Sequence, residues 1–401
     1  MKNWKVKFAL LGVGQAVSML TSSILQISLV WYLTQKTLSP TIVTMSTLAG
    51  YLPRAVLGLF TGVFIDRFDR KKVLIYADMI IALAALVLAG AALFGDIPIW
   101  LIFAMLCVRS VGAAFHTPTL NAVVPTMVPK EALTRCAGIT QGFESVSLIL
   151  SPALAAFLFN VWNLSTIILL DVVGAAAAIT IVIILPIMRY ASEGEQASLH
   201  IWQDTKEGFA VIRNVTGLTA VMIISTLYAF IYFPIGSMYP LMTMAYFGGG
   251  VNESSIVEIA FSSGTLLGSF LLGVLGNRIR RLGGITASIG CYGLGLIAAG
   301  LLPPSGLKPF VVLSVLMGFT LPFFYGLRTA ILQTNVPGEY LGRVLSLAYS
   351  VSLFASPLGL LFGGTLSEIM GVNICFFIAG ILSVCLAAAM LLTPSVRKSQ
   401  L

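Results

Sequence analysis

Apolar runs of membrane-crossing length, separated by turns too short to hold a soluble domain, occupy almost all of this 401-residue chain. A helix needs about 20 residues to cross the hydrocarbon core of a bilayer. Runs of that order fall at about 8–33, 41–64, 73–94, 98–121, 137–160 and 163–187, and again at about 216–243, 254–275, 285–302, 309–333, 342–366 and 372–393. Only 9% of the residues are charged and 58% are hydrophobic, whereas soluble domains carry about 25% charge. Such a surface has to face lipid, where every backbone polar group must be satisfied within the protein. The expected fold is therefore an all-α membrane protein with twelve transmembrane helices.

The charges that remain are distributed unevenly. Of the 23 Lys and Arg, eighteen lie in the termini and turns of one side, Lys36 and Lys308 lie on the other, and Arg54, Arg109 and Arg328 lie inside runs. By the positive-inside rule, both termini are cytoplasmic. The formal net charge of +8 thus reads as topology, and nucleic acid is not expected as a partner. The basic-then-apolar N-terminus continues to Leu33 without a small-residue cleavage site and reads as a retained first helix. The five cysteines show no metal-ligand spacing. No phosphate-binding loop of the Gly-x-x-x-x-Gly-Lys-Ser/Thr type occurs, and no nucleophile has a credible base. No cofactor, no metal and no enzymatic activity are expected.

Several segments occur twice. Gly62-Val-Phe-Ile-Asp66-Arg67-Phe-Asp69-Arg70-Lys71-Lys72 returns 211 residues later as Gly273-Val-Leu-Gly-Asn277-Arg278-Ile-Arg280-Arg281. Val128-Pro-Lys-Glu131-Ala-Leu133-Thr-Arg135 matches Val336-Pro-Gly-Glu339-Tyr-Leu341-Gly-Arg343, and Ser145 to Pro152 matches Ser350 to Pro357. An even number of runs separates the copies, so they share an orientation and form parallel repeats. The predicted organisation is a six-helix half over 1–187, a cytoplasmic linker over 188–215 with an interfacial helix from Leu199 to Arg213, and a second six-helix half over 216–401.

Charges inside runs mark candidate function, because each needs a partner or an aqueous cavity. Arg109 and Glu144 fall at similar depths in consecutive helices and are expected to pair. A carboxylate held ionised by Arg109 and released when the pair opens suits proton coupling; a static pair that fixes helix packing is the alternative. Asp171 and Glu258, entering from the outer face, are further candidates for protons or a cationic substrate; capping or bridging of helices near the interface is the alternative for each. Asp78 is assigned to the gate network near the cytoplasmic interface. His116 could titrate near neutral pH, against the commoner role of a satisfied polar residue at a helix end. Arg54 and Arg328 could pair with acidic residues, hold an anion or snorkel toward the cytoplasm, which is easiest for Arg328. Gln15 and Gln26 lie about three turns apart on one helix face. With Arg54, Tyr228, Tyr232 and Phe324 they are the candidate lining of a substrate cavity, since a large amphipathic ligand needs apolar area with a few polar handles.

The segment Gly62 to Lys72 resembles the major facilitator signature between helices two and three. Arg109-Ser-Val-Gly112 is similar to that superfamily's second motif, and Ser151-Pro152 resembles its antiporter motif with Ser in place of the usual Gly. Gly14-Gln-Ala-Val17, Asp69 to Lys72, Ala114 to Pro118, Leu120-Asn-Ala122 and Tyr340 to Val344 resemble the macrolide efflux proteins of Gram-positive bacteria. The resemblance implies a major facilitator fold in a bacterial plasma membrane. It also implies a monomer that exchanges amphipathic drugs, macrolides first, for protons by alternating access. It makes Gly62, Asp66, Arg67 and Arg70, with Asp78, the latch that closes the cytoplasmic side; loss of the acid at Asn277 makes that latch asymmetric. Export of another amphipathic molecule, such as a siderophore or lipid, and a non-transporting receptor or scaffold are the competing readings.

Overall fold

A computed structural model describes residues 4–129, 132–186, 201–275 and 278–397. Within its helices the side chains of 59–60, 62–67, 133–135, 137–138, 141–142, 144–145, 148, 201–205, 207–208, 338–339, 341–343, 345–346, 349–350, 352–353 and 397 lie outside the description. The described residues are helical throughout, joined by short turns, with no strand among them.

Six long helices come first: α1 Trp4–Thr37, α2 Pro40–Arg67, α3 Arg70–Leu93, α4 Ile99–Met127, α5 Leu133–Val161 and α6 Leu164–Ile184. A shorter helix, α7, spans Ile201–Asn214. Then come α8 Leu218–Ser237, α9 Tyr239–Leu241 with a π turn over Met242–Tyr246, α10 Val251–Leu275, α11 Arg281–Leu301, α12 Leu307–Asn335, α13 Gly338–Met370, α14 Val372–Leu392 and a final turn, α15 Pro394–Arg397. Among the described residues, nine helices are long and apolar enough to cross a membrane: α1, α3, α4, α6, α8, α10, α11, α12 and α14. The other three, α2, α5 and α13, have span length at 28, 29 and 33 residues, and the side chains of each are described only in part. Large apolar side chains stand outward, Phe270 at 74% and Ile369 at 77% exposure, as a multi-pass membrane protein requires.

Two compact units emerge: Met1–Thr37 with Met45–Glu195, and Leu38–Thr44 with Gln196–Leu401. In the first, α3 packs on α4 and α6, and α1 packs on α5 and α6. In the second, α11 packs on α12 and α14, and α8 packs on α13 and α14. Counted from the start of each repeat these are the same helix pairs, so the duplicated sequence builds the same arrangement twice. The core of the first unit includes Phe8, Leu11, Leu74, Val123 and Val182. That of the second is larger and richer in aromatic residues, among them Tyr228, Tyr292, Phe310, Phe324 and Phe376.

Lipid is as apolar as leucine, so helices in a bilayer gain most from close backbone approach. The contact of α10 with α12 shows how the sequence achieves it. A side chain at Gly264 would fall on the Val315 carbonyl, one at Gly268 on the Phe319 carbonyl, and one at Gly318 on the Phe261 carbonyl. Glycine thus stands on both surfaces of one crossing, whereas Gly273, in the repeated hairpin, has open space beside it. Gly264→Val is expected to destabilise the purified protein by about 1–3 kcal/mol, the usual cost of overpacking, and Gly273→Ala to leave it nearly unchanged. Thermal unfolding in detergent compares the two.

Candidate functional site

The sites begin with the duplicated basic hairpin. Asp69 caps α3, its carboxylate accepting the Lys71 backbone N–H at 2.9 Å. Arg70 Nη1 donates to the Ala122 carbonyl of α4 at 3.0 Å. In the second unit the equivalent Arg281 donates from Nη1 to Thr334 Oγ1 of α12 at 2.6 Å. Each repeat therefore uses the first residue of its third helix to hold the far end of its fourth. Lys71 Nζ donates to the Ile183 and Leu185 carbonyls at 2.7 and 2.8 Å. These are carbonyls at the C-terminal end of α6, which have no intrahelical partner and carry the negative end of the helix dipole. Lys71 thus caps α6 and Arg70 braces α4 within their own unit. The side chains of Gly62, Asp66 and Arg67 lie outside the described residues.

The centre of the first unit holds a charge pair. Asp171 of α6 is wholly buried and Arg109 of α4 is 8% exposed. The guanidinium of Arg109 donates directly to Asp171 Oδ2. The other carboxylate oxygen accepts from Ser22 Oγ at 2.6 Å and from Thr21 Oγ1 at 3.5 Å, both on α1. One carboxylate therefore ties α1, α4 and α6 together. Sequence depth pointed to Glu144 as the partner of Arg109; among the described residues the partner is Asp171, and the side chain of Glu144 lies outside them. Thr21 and Ser22 went unnoticed in the sequence, although they stand between Gln15 and Gln26 on the helix already read as polar-faced.

A second buried pair lies nearby. His116 Nε2 of α4 approaches Asp78 Oδ1 of α3 to 3.3 Å, and Asp78 is 2% exposed. Gly112 sets this approach. A β-carbon there would stand 2.9 Å from the Ala77 carbonyl oxygen and 2.8 Å from the Ile81 side chain. Arg109, Gly112 and His116 follow the i, i+3, i+7 spacing of one helix face, so the glycine of this motif presses α4 onto α3 between Arg109 and His116. His116 is eleven residues from the end of α4, which replaces its reading as a helix-end residue.

The remaining candidates are dispersed. Arg54 is exposed, and its backbone N–H, next to Pro53, donates to Ser110 Oγ of α4 at 3.0 Å. Gln15 and Gln26 are half-buried on α1, with Gln26 beside Gly50 of α2. In the second unit Glu258 is half-buried on α10. Tyr228 and Phe324 are fully buried with ring centres 4.5 Å apart, and Tyr232 stacks on Tyr228 at 6.1 Å. Tyr292 of α11, which the sequence reading missed, joins them edge-on at 5.8 Å from Tyr228. Arg328 is 3% exposed, its guanidinium carbon 5.7 and 5.6 Å from the Phe324 and Tyr325 ring centres. It is held over aromatic faces and does not snorkel. No cluster of metal-ligating side chains exists among the described residues.

Comparison with known proteins gives this architecture its family. The family model for a transmembrane secretion effector, one of the major facilitator families, matches residues 4–400. The chain belongs to that family. It is 45% identical over 399 residues to macrolide efflux protein A of Streptococcus pyogenes, covering all of this chain and 98% of that one. It is 46% identical over 322 residues to macrolide efflux protein A of Enterococcus faecalis, covering 80% of this chain and 99% of that one. The crystal structure of the nucleoside transporter NupG superposes with a TM-score of 0.79 at 14% identity, covering 99% of this chain and all of that one. That likeness concerns the fold alone.

The Arg109–Asp171 geometry makes a stability prediction. Removing one member of a buried ion pair strands the other, at a cost of about 3–5 kcal/mol, whereas replacing both with apolar groups is often neutral. Arg109→Met and Asp171→Leu singly are each expected to lose that much, and the double variant to regain most of it. Thermal unfolding of the three purified proteins is the check.

Proposed function

We propose that this protein exports amphipathic antibiotics, macrolides first among them, in exchange for protons, by alternating access in a bacterial plasma membrane with both termini cytoplasmic. The observation that carries the coupling is the burial of Asp171 against Arg109, with Ser22 and Thr21 on the remaining oxygen. Ionisable groups at such depth mark ion and substrate pathways, and stability alone is a weak reason to keep them. What supports the substrate is the end-to-end similarity to macrolide efflux proteins at 45% identity.

The pair has two chemical states. With Asp171 ionised, its carboxylate accepts from Arg109 and from both hydroxyls of α1. A proton on Asp171 converts the acceptor to a neutral acid, removes most of its attraction for Arg109 and loosens the tie among α1, α4 and α6. In the exchange cycle, drug loads from the cytoplasm or inner leaflet with Asp171 ionised and leaves outside; a proton then enters on Asp171 and is released inside. Glu144 and Glu258 are proposed as further proton carriers. Gly62, Asp66, Arg67, Arg70 and Asp78 are proposed for the gate. Gln15, Gln26, Arg54 and Tyr232 are proposed to touch drug, with Tyr228 and Phe324 as the aromatic support behind Tyr232. One chain carries both halves, so the proposed working unit is the monomer.

Accumulation of a labelled macrolide in cells tests the reading. Cells with the wild-type protein are expected to hold several-fold less drug than cells without it, and an uncoupler is expected to erase the difference. Asp171→Asn, which keeps shape but cannot release a proton, is expected to accumulate drug as cells without the protein do. Efflux that stops on ATP depletion with the proton gradient held, or that survives in Asp171→Asn, contradicts the proposal.

A further inference from the structure

Asp78 is proposed above for the gate, but its contact with His116 has no place in the proton steps of that cycle, and the geometry of the pair differs from that of a structural bridge. Buried polar groups that serve structure are normally satisfied. Asp78 Oδ2 and His116 Nε2, both inaccessible to solvent, have no hydrogen-bond partner, although Nε2 lies 3.3 Å from Asp78 Oδ1. An ionised carboxylate with one oxygen bare in a buried site is costly. A carboxyl and an imidazole in contact can relieve that cost by holding a shared, exchangeable proton.

The position of the pair is the second observation. Asp78 lies eight residues into α3 from Arg70, and His116 lies seven residues along α4 from Arg109 toward the same basic end. At 1.5 Å per residue these are about 12 Å and about 10 Å. The pair therefore stands between the Arg109–Asp171 bridge and the Lys- and Arg-rich end of the unit. The groups around it come from several elements. Asp171 of α6 bears electrostatically on Asp78, and Arg54 of α2 bears on His116. Arg109 shares the α4 face with His116, and Arg70 opens α3 on the basic side. The side chain of Glu144 on α5 lies outside the described residues.

We propose that Asp78 and His116 form a second proton-binding site, linked electrostatically to Asp171 and placed on the route between Asp171 and the basic end of the helices. The inference rests on the proton-exchange reading and deepens it. The step adds one proton and breaks no bond between heavy atoms. A proton from the aqueous phase goes to Asp78 Oδ2, leaving a neutral carboxyl beside a neutral imidazole, or to His116, leaving an imidazolium on the carboxylate; release reverses it. Because Asp171 and Asp78 carry like charge and act on one another, a proton on either weakens the demand for one on the other. Gly112 keeps the two groups in contact by holding α3 against α4.

The chain has two histidines, His116 and His200, so the site can be observed directly. Nitrogen NMR on histidine-labelled full-length protein in lipid nanodiscs follows both rings, with His116→Gln assigning the signals. Infrared difference spectra over the same pH range follow the carboxyl groups. The expected result is a protonation step between about pH 5 and 8 in a His116 ring signal or a carboxyl band, lost in Asp78→Asn and displaced by about one pH unit in Asp171→Asn. If neither group changes protonation over that range, or if Asp78→Asn leaves the step untouched, the site does not exist. The pH dependence of macrolide efflux from cells separates this inference from the reading beneath it. A wild-type profile retained by both Asp78→Asn and His116→Gln overturns the second site while leaving proton exchange intact. Wild-type efflux indifferent to the proton gradient overturns proton exchange itself, whatever the spectra show.

Discussion

A charge removed from water must find its counter-charge inside the protein. In the first unit that requirement falls on Asp171, which is buried against Arg109 with two hydroxyls of α1 on its other oxygen. The arrangement fixes more than one carboxylate. It orients α1, α4 and α6 toward a common centre. Apolar contacts alone would fix that centre less well, because lipid competes evenly for apolar faces. In the bilayer one ionisable group thus becomes the tie among three helices.

Two devices allow polar groups to be held this way. One is close helix approach at glycine, seen where α10 crosses α12 and where Gly112 brings α4 against α3. The other is anchoring by long basic side chains: Lys71 caps the end of α6, Arg70 donates to a carbonyl of α4, and Arg281 donates to a hydroxyl of α12. The matched roles of Arg70 and Arg281 show why the arginines persist in both copies of the hairpin. They hold the fourth helix of each repeat. The acid at Asp69 caps α3 in the first copy, and the second copy has Arg280 at the corresponding cap with no side-chain bond. Part of the asymmetry between the copies therefore belongs to helix capping.

The fold was legible because a bilayer leaves few choices. Runs of about 20 apolar residues mean helices, and duplicated turns mean duplicated bundles. The contact of Arg109 with Asp171 could not be read from the sequence. Sequence gives depth along a helix but not which helices become neighbours, and adjacency in the chain favoured α5 with Glu144. In the structure α3 packs on both α4 and α6, which brings Asp171 within reach. His116 was unreadable for a similar reason: its contact depends on Gly112 closing the distance to α3, a property of the crossing and not of either helix alone. Tyr228 and Phe324 were read as lining from their composition, whereas their burial on each other reflects a core assembled from α8, α11 and α12 together.

The central claim is that drug movement and proton movement are one process passing through Asp171. The most direct test is proton flux driven by drug in liposomes holding only this protein and a pH indicator. A macrolide gradient imposed across the membrane, with no other energy source, is predicted to drive protons in the opposite direction with the wild-type protein and to drive none with Asp171→Asn. Macrolide transport without any accompanying proton flux, or equal flux in the two proteins, would contradict the account.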